Sequence, residues 1–273
     1  MTVRAVHHLN CATMCPVAGF ILGGDAWRGR WVTHCLLIET ERDGLVLVDT
    51  GFGTRDIEGK TGLQRAYLML GGPVLSYAET AIEQVKALGY KPEDVKHIVV
   101  THLDFDHTGG MSDFPNAKVH VHAREHVAAM TRSHIKERWR YLTAHWAHGP
   151  KWEVYTESGD TWRGLPAVTR LRKLDADIGL LPMHGHTRGH SAVIVKHGDR
   201  WLVHAGDAYF HRNAIEGSAR VPVGTAAFER ANAMLPAHHR ASVGALRQLC
   251  ASYRDLDMFC AHDERELAAL RGR

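Results

Sequence analysis

What this chain lacks removes several roles before any motif is read. Basic side chains exceed acidic ones by only +3 over 273 residues, and no long Lys/Arg run exists, so a nucleic-acid or membrane-surface partner has no electrostatic basis. No window reaches the apolar length of a membrane span. Met1–Asn10 has neither the basic start nor the apolar stretch of an export signal, and a cytoplasmic location is expected. Cysteine is scarce and odd in number: Cys11, Cys15, Cys35, Cys250 and Cys260 read as reduced, buried thiols and not as a disulfide framework. There is no low-complexity tract, linker or short repeat, and no Gly-x-Ser-x-Gly elbow for a nucleophilic serine.

The residue in excess is histidine, at 21. The periodic segments around these histidines alternate between strand and helix. Residues 31–39, 44–49, 96–101, 118–122, 176–183, 191–197, 200–205 and 257–261 read as β-strands. Residues 78–89, 123–130, 225–235 and 237–252 read as helices, the first ending at Gly89. Residues 131–165, rich in Trp, His and Arg and weakly periodic, read as a cap or insertion on a single domain spanning 1–273.

Chemistry concentrates where strands stop. His102-Leu-Asp104-Phe-Asp106-His107 follows the apolar run His97–Thr101, and sites form where a rigid strand releases a loop. In an extended segment His102, Asp104 and Asp106 project together while His107 points elsewhere, which suits two neighbouring metals better than one. Three further loops share this character: His184-Gly-His186-Thr-Arg-Gly-His190, the strand end at Gly206-Asp207, and the strand end at His262.

The order Asp49-Thr-Gly, His102-x-x-x-Asp106-His107, Gly185-His-Thr-x-Gly-His190, Gly206-Asp207 and a late His262 resembles the metallo-β-lactamase superfamily, and within it the quorum-quenching lactonase-like hydrolases. The resemblance runs from about residue 31 to 265. It implies an α/β fold, a four-layer αββα sandwich, with a binuclear metal site at one edge. It implies Asp207 as the bridge, Asp106, His107 and His262 around one ion, and His102 and His186 around the other. One position departs from the pattern: Asp104 stands where the family has histidine. Aspartate is a competent but shorter ligand, and it removes one positive charge relative to imidazole. The metals implied are two divalent ions, zinc first, with manganese or iron behind it. Asp49 is read as holding a loop or a ligand imidazole, and His190 as structural. His184, His204 and His211 are read as neighbours of the site or substrate contacts, and His120, His122, His145 and His148 as surface or cap residues.

The chemistry this implies is hydrolysis by a metal-bridging hydroxide that Asp106 orients. Tyr209 stands two residues after Asp207, where the family's substrate-contacting tyrosine stands three after; it is either that donor or a packing residue. The expected substrate is a small molecule, a lactone or related ester, with an N-acyl homoserine lactone as the family-level expectation. The alternatives are a β-lactam, thioester or phosphotriester hydrolase on the same fold, or a non-catalytic binding scaffold. Whether the chain forms a homodimer is open. Trp27, Trp31, Trp139, Trp146, Met14 and Phe210 are candidates for an apolar pocket wall.

Overall fold

The computed structural model describes residues 3–24, 26–157 and 159–271. Six strands pair in chain order: β1 (Val3–Met14), β2 (Trp31–Thr40), β3 (Leu45–Val48), β4 (Val95–Val99), β5 (Lys118–His122) and β6 (Lys151–Tyr155). β1 to β3 run antiparallel, and β3 to β6 are joined in parallel. A short ribbon of β7 (Thr161–Trp162) and β8 (Leu165–Pro166) leads to a second sheet. Its strands are β9 (Thr169–Arg170), β10 (Ile178–Pro182), β11 (Ser191–His197), β12 (Arg200–His204) and β13 (Leu256–Phe259), in the order β13-β12-β11-β10-β9.

Both faces of the central strands are buried, so they read as apolar runs with little polar alternation. The period of two nevertheless decides which layer each side chain enters. Leu36, Ile38, Val46, Val48 and Val99 meet Ile178, Leu180, Val193, Val195 and Phe259 between the sheets. Leu37, Leu47 and Ile98 point outward onto Val85 of helix Ala81–Ala87, and Val119 and Val121 join the same layer with Ala128 and Ala129 of helix Ala123–Thr131. On the far side, Ile194 and Val203 pack against Leu246 and Leu249 of helix Pro236–Ser252. The result is the αββα sandwich.

Several segments differ from the sequence expectation. The opening residues form β1, a 12-residue strand whose polar members His7, His8 and Asn10 mask its pattern. Within 131–165, residues 151–155 are not cap but β6, the edge strand parallel to β5. Helix Ile135–Arg140 and the turn Thr143–Trp146 are the parts that cover the sheet. His120, His122 and His145 are buried, not superficial: His120 lies 2.8 Å from His97 and 2.9 Å from the Tyr155 hydroxyl, and His145 lies 2.9 Å from both Asp56 and Thr108. No helix among the described residues is long and apolar enough to cross a membrane.

One buried carboxyl makes fold stability pH-dependent. Glu266, on helix Glu264–Arg271, meets the Tyr209 hydroxyl at 3.0 Å and accepts from the Cys260 N–H at 2.8 Å. Burial raises its pKa from 4.5 to about 8. The folded chain therefore keeps a proton that the unfolded chain has already released, and stability falls as pH rises from about 4.5 to about 8. Glu266→Gln should flatten that fall by up to roughly 1.4 kcal/mol per pH unit across the window. Thermal melts of both proteins from pH 5 to 9 check this; parallel curves would place the proton elsewhere.

Candidate metal centre

The strand ends of both sheets converge at one edge of the sandwich. Asp49 follows β3 with φ of 57°, a left-handed conformation rare for a side chain other than glycine and frequent at functional sites. That turn aims its carboxylate at the next strand end. It accepts from the Thr101 N–H at 2.8 Å and the Thr101 hydroxyl at 2.7 Å, and lies 2.8 Å from His107 Nδ1. Thr101 Oγ1 in turn lies 2.9 Å from His102 Nδ1. Because its O–H is given to Asp49, Thr101 accepts from the His102 ring. His262 Nδ1 donates to the Val32 carbonyl at 2.7 Å. These partners fix the proton of all three imidazoles on Nδ1 and leave each Nε2 lone pair facing inward.

Two groups of donor atoms result, each within 4.8 Å: His102, His186 and Asp207, and Asp106, His107 and His262. Asp207 spans them. Its Oδ1 lies 3.2 Å from His107 Nε2 and 3.1 Å from His262 Nε2, while Oδ2 lies 3.4 Å from His186 Nε2 and 3.7 Å from His102 Nε2. Asp106 lies 3.8 Å from His262. Buried His102 Nε2, His107 Nε2 and Asp207 Oδ1 have no hydrogen-bonding partner among the described residues. Unpartnered buried donor atoms facing one another are what a pair of divalent cations satisfies, and the imidazole–carboxylate set suits zinc, manganese or iron. The local field points the same way. Burial opposes a charge on His107, yet Asp207, Asp49 and Asp106 hold its pKa well above the ordinary imidazole value. Burial likewise opposes ionisation of Asp207, and His262, His107, His186 and His102 overcome it.

Asp104 joins this set from one side. Its Oδ2 lies 3.0 Å from His186 Nε2 and 3.4 Å from His102 Nε2. Its Oδ1 lies 3.4 Å from Nε of Arg140, a buried guanidinium that the sequence reading did not single out. Burial would raise Asp104, but Arg140 first and His102 second keep its carboxyl well below the ordinary range. Arg140 also donates to the His186 carbonyl at 2.8 Å and the Asn232 carbonyl at 3.1 Å. Glu125 is a second buried residue the sequence did not mark. It accepts from Leu103 N–H, Gly189 N–H, the Thr187 hydroxyl and the Tyr141 hydroxyl, and so ties the loop of His102 to the loop of His186. Neither residue sits in a motif, and no local sequence pattern marks either one.

Other placements correct or refine the sequence reading. Tyr209 does not reach the substrate space: it is fully buried in the outer core, with its hydroxyl on Glu266. The two-residue offset turns it away from the metal edge, and the substrate-donor role falls. His190 uses both ring nitrogens, at 2.9 Å from the Met183 carbonyl and 2.9 Å from the Asp207 N–H, so it orients Asp207 and keeps no ring nitrogen free for a metal. Gly206, at φ 54°, permits this approach; an added Cβ would lie 2.6 Å from His190 Nε2. His204 is buried against the His34 carbonyl, away from the cavity. A cavity of about 780 Å³ opens over the cluster, with Asp104, Asp106, His186, Asp207 and His262 in its lining. Met14, Trp31, Trp139 and Phe210 form part of its wall, whereas Trp146 packs in the core and Trp27 is exposed beside Phe20.

Two experiments test this geometry. Asp207→Ala should lose both ions, whereas His262→Ala should empty mainly one site; elemental analysis of each variant reads this directly, and wild-type metal content in both would refute the assignment. For the buried pair, Arg140→Met should destabilise the protein by about 3–5 kcal/mol through an uncompensated Asp104. Adding Asp104→His in the same chain should recover much of that loss. Denaturant unfolding of both singles and the double gives the coupling, and strictly additive effects would show that the two groups do not interact.

Residues 28–262 match the family described as the metallo-beta-lactamase superfamily. A probable metallo-hydrolase of Mycobacterium tuberculosis is 43% identical over 261 residues, covering 94% of this chain and 80% of the relative. An N-acyl homoserine lactonase of a Bacillus species is 30% identical over 165 residues, 59% of this chain and 57% of the relative. Among solved structures, an N-acyl homoserine lactone hydrolase with N-hexanoyl-L-homoserine at its catalytic metal centre superimposes with a TM-score of 0.71, covering 98% of this chain and 97% of that one at 19% identity. With the motif order, the sandwich and the double cluster already in place, these matches establish that the chain belongs to the metallo-β-lactamase superfamily of metallo-hydrolases.

Proposed function

We propose that this protein is a binuclear metal-dependent hydrolase that opens a lactone carrying an apolar acyl substituent, with an N-acyl homoserine lactone as the leading substrate. The observation that carries this reading is the cavity. Its floor is the paired cluster, and its wall is built from Met14, Leu22, Trp31, Leu63, Phe210 and Phe228. A polar ring at the reacting end and an acyl tail along the wall fit such a space. The relatives named N-acyl homoserine lactonases support the same class.

Zinc is the metal proposed for both positions, held by His102, Asp104, His186 and Asp207 on one side and Asp106, His107, His262 and Asp207 on the other; bound there, the ions supply Lewis acidity and an ionised water. The chain's own part is positional and electrostatic. Asp106 lines the cavity and lies within the second group, so its carboxylate is placed to accept a proton from the attacking water. Asp49 holds His107 directly and His102 through Thr101, which keeps both Nε2 lone pairs aimed inward. Trp31, Phe210 and Phe228 pack edge to face and tilted at 5.0–5.7 Å and exclude water from one flank of the acyl tail.

Metal-loaded protein should hydrolyse lactones faster than linear esters, thioesters, β-lactams or phosphotriesters of similar size. Along a series of homoserine lactones with longer acyl chains, kcat/KM should rise by roughly fourfold per methylene until the cavity is filled. A protein that holds two ions and leaves every lactone intact while turning over one of the other classes would replace this reading.

A further inference from the structure

A second set of metal-ligating side chains lies outside the cluster just described. His122 ends β5, Glu157 follows β6, and His184 sits in the loop between β10 and β11. One donor atom from each lies within 4.8 Å of the others. The His122 and His184 rings are 5.1 Å apart and tilted by 57°. No residue of the proposed hydrolytic centre belongs to this group. We propose that His122, Glu157 and His184 form a third divalent-metal site, taking zinc or a similar borderline ion, with water completing the coordination on the exposed side.

The hydrogen bonding leaves room for a positive charge at this site. His184 Nδ1 lies 3.2 Å from the His190 carbonyl, an acceptor, so Nδ1 carries a ring proton. Nε2 faces Glu157 Oε1 at 3.2 Å, so either a second ring proton or a metal cation lies between these two atoms, and a divalent ion fills the position that the proton would otherwise take. The separation matches the roughly 3.3 Å between neighbouring ligands of a tetrahedral zinc at about 2.0 Å. His122 contributes the third direction. The residue is 2% exposed, and its Nε2 has no partner among the described residues. Its Nδ1 accepts from the Arg124 N–H at a long 3.3 Å. In that tautomer the Nε2 proton has nothing to receive it. Moving the proton to Nδ1 gives up the long contact and frees an Nε2 lone pair for the metal.

One cation already competes for the site. Arg124 lies 3.1 Å from Glu157, but its side chain is 59% exposed, and a solvated surface pair is weak. A divalent ion with two imidazole ligands displaces it. The site also stands behind the hydrolytic centre: the His190 carbonyl that fixes His184 belongs to the residue whose Nε2 accepts from the Asp207 N–H. The third ion would clamp the outer side of the loop that carries His186.

Zinc binding by equilibrium dialysis with elemental analysis tests the proposal in the whole chain. Wild type should saturate at about three ions, the third weaker than the first two, while Glu157→Gln and His122→Gln should each stop at about two with unchanged melting of the remaining fold. Asp207→Ala separates this site from the hydrolytic one: it should retain one ion, and Asp207→Ala combined with Glu157→Gln should retain none. Arg124→Gln should tighten the third ion several-fold by removing its competitor. Equal zinc content in wild type and Glu157→Gln, or an Arg124→Gln variant whose third-site affinity is unchanged or weaker, would overturn the site.

Discussion

Everything at the metal edge depends on holding one carboxylate, Asp207, in a fully buried position between two sets of imidazoles. A buried charge is tolerated only when it is paired and oriented, and the fold supplies both conditions. Gly206 turns the backbone so that the Asp207 N–H reaches His190 Nε2. His190 is fixed through its other nitrogen on Met183, at the end of β10. His107 faces one carboxylate oxygen, His102 and His186 the other, and His262 Nε2 lies 3.1 Å from both. The second layer (Asp49, Thr101 and the Val32 carbonyl) fixes three of those rings. The two sheets therefore act as a jig: the ends of β3 and β4 deliver one half of the centre, and the ends of β10, β12 and β13 the other.

Asp104 looks like an impairment until Arg140 is placed beside it. Exchanging a neutral imidazole for a carboxylate lowers the local charge by one; the guanidinium restores it. In this chain the carboxylate and the guanidinium have to be counted together, and a charge count confined to Asp104 and its histidine neighbours misses half of the balance. Arg140 serves this better than lysine would, because its planar fork reaches the His186 and Asn232 carbonyls while Nε faces Asp104.

The strands flanking the site were legible because each is an apolar run that ends in a histidine or aspartate, and the end is the informative part. The motif residues converge for the same reason: strand ends in a sandwich share an edge. β1 and β6 were less legible, since edge strands carry polar residues such as His7, His8 and Glu153 that blur the alternation. Tyr209 stayed open between donor and packing residue because a one-residue difference in spacing after Asp207 decides whether a side chain faces the cavity, as Phe210 does, or the outer core. Glu125 and Arg140 were illegible in principle. Their roles are set by partners 62 to 64 and 46 residues away, Thr187 and Gly189 for Glu125 and His186 for Arg140, and no local pattern encodes such pairings.

Helix Ile135–Arg140 makes specificity and metal electrostatics inseparable. Ile135 and Trp139 stand in the cavity wall, and Arg140, at the helix end, is the counter-charge of Asp104. The same guanidinium is bonded to the loop of His186 and to the end of helix Val223–Asn232, which carries Phe228 of the cavity wall. A shift of this helix to admit a bulkier substrate would move Arg140 against Asp104 and perturb the charge at the first metal position. The shape of the cavity is therefore tied to electrostatics as well as to packing: its wall can be reshaped through side chains on helix Val223–Asn232, such as Phe228, more freely than through any displacement of the helix that ends in Arg140.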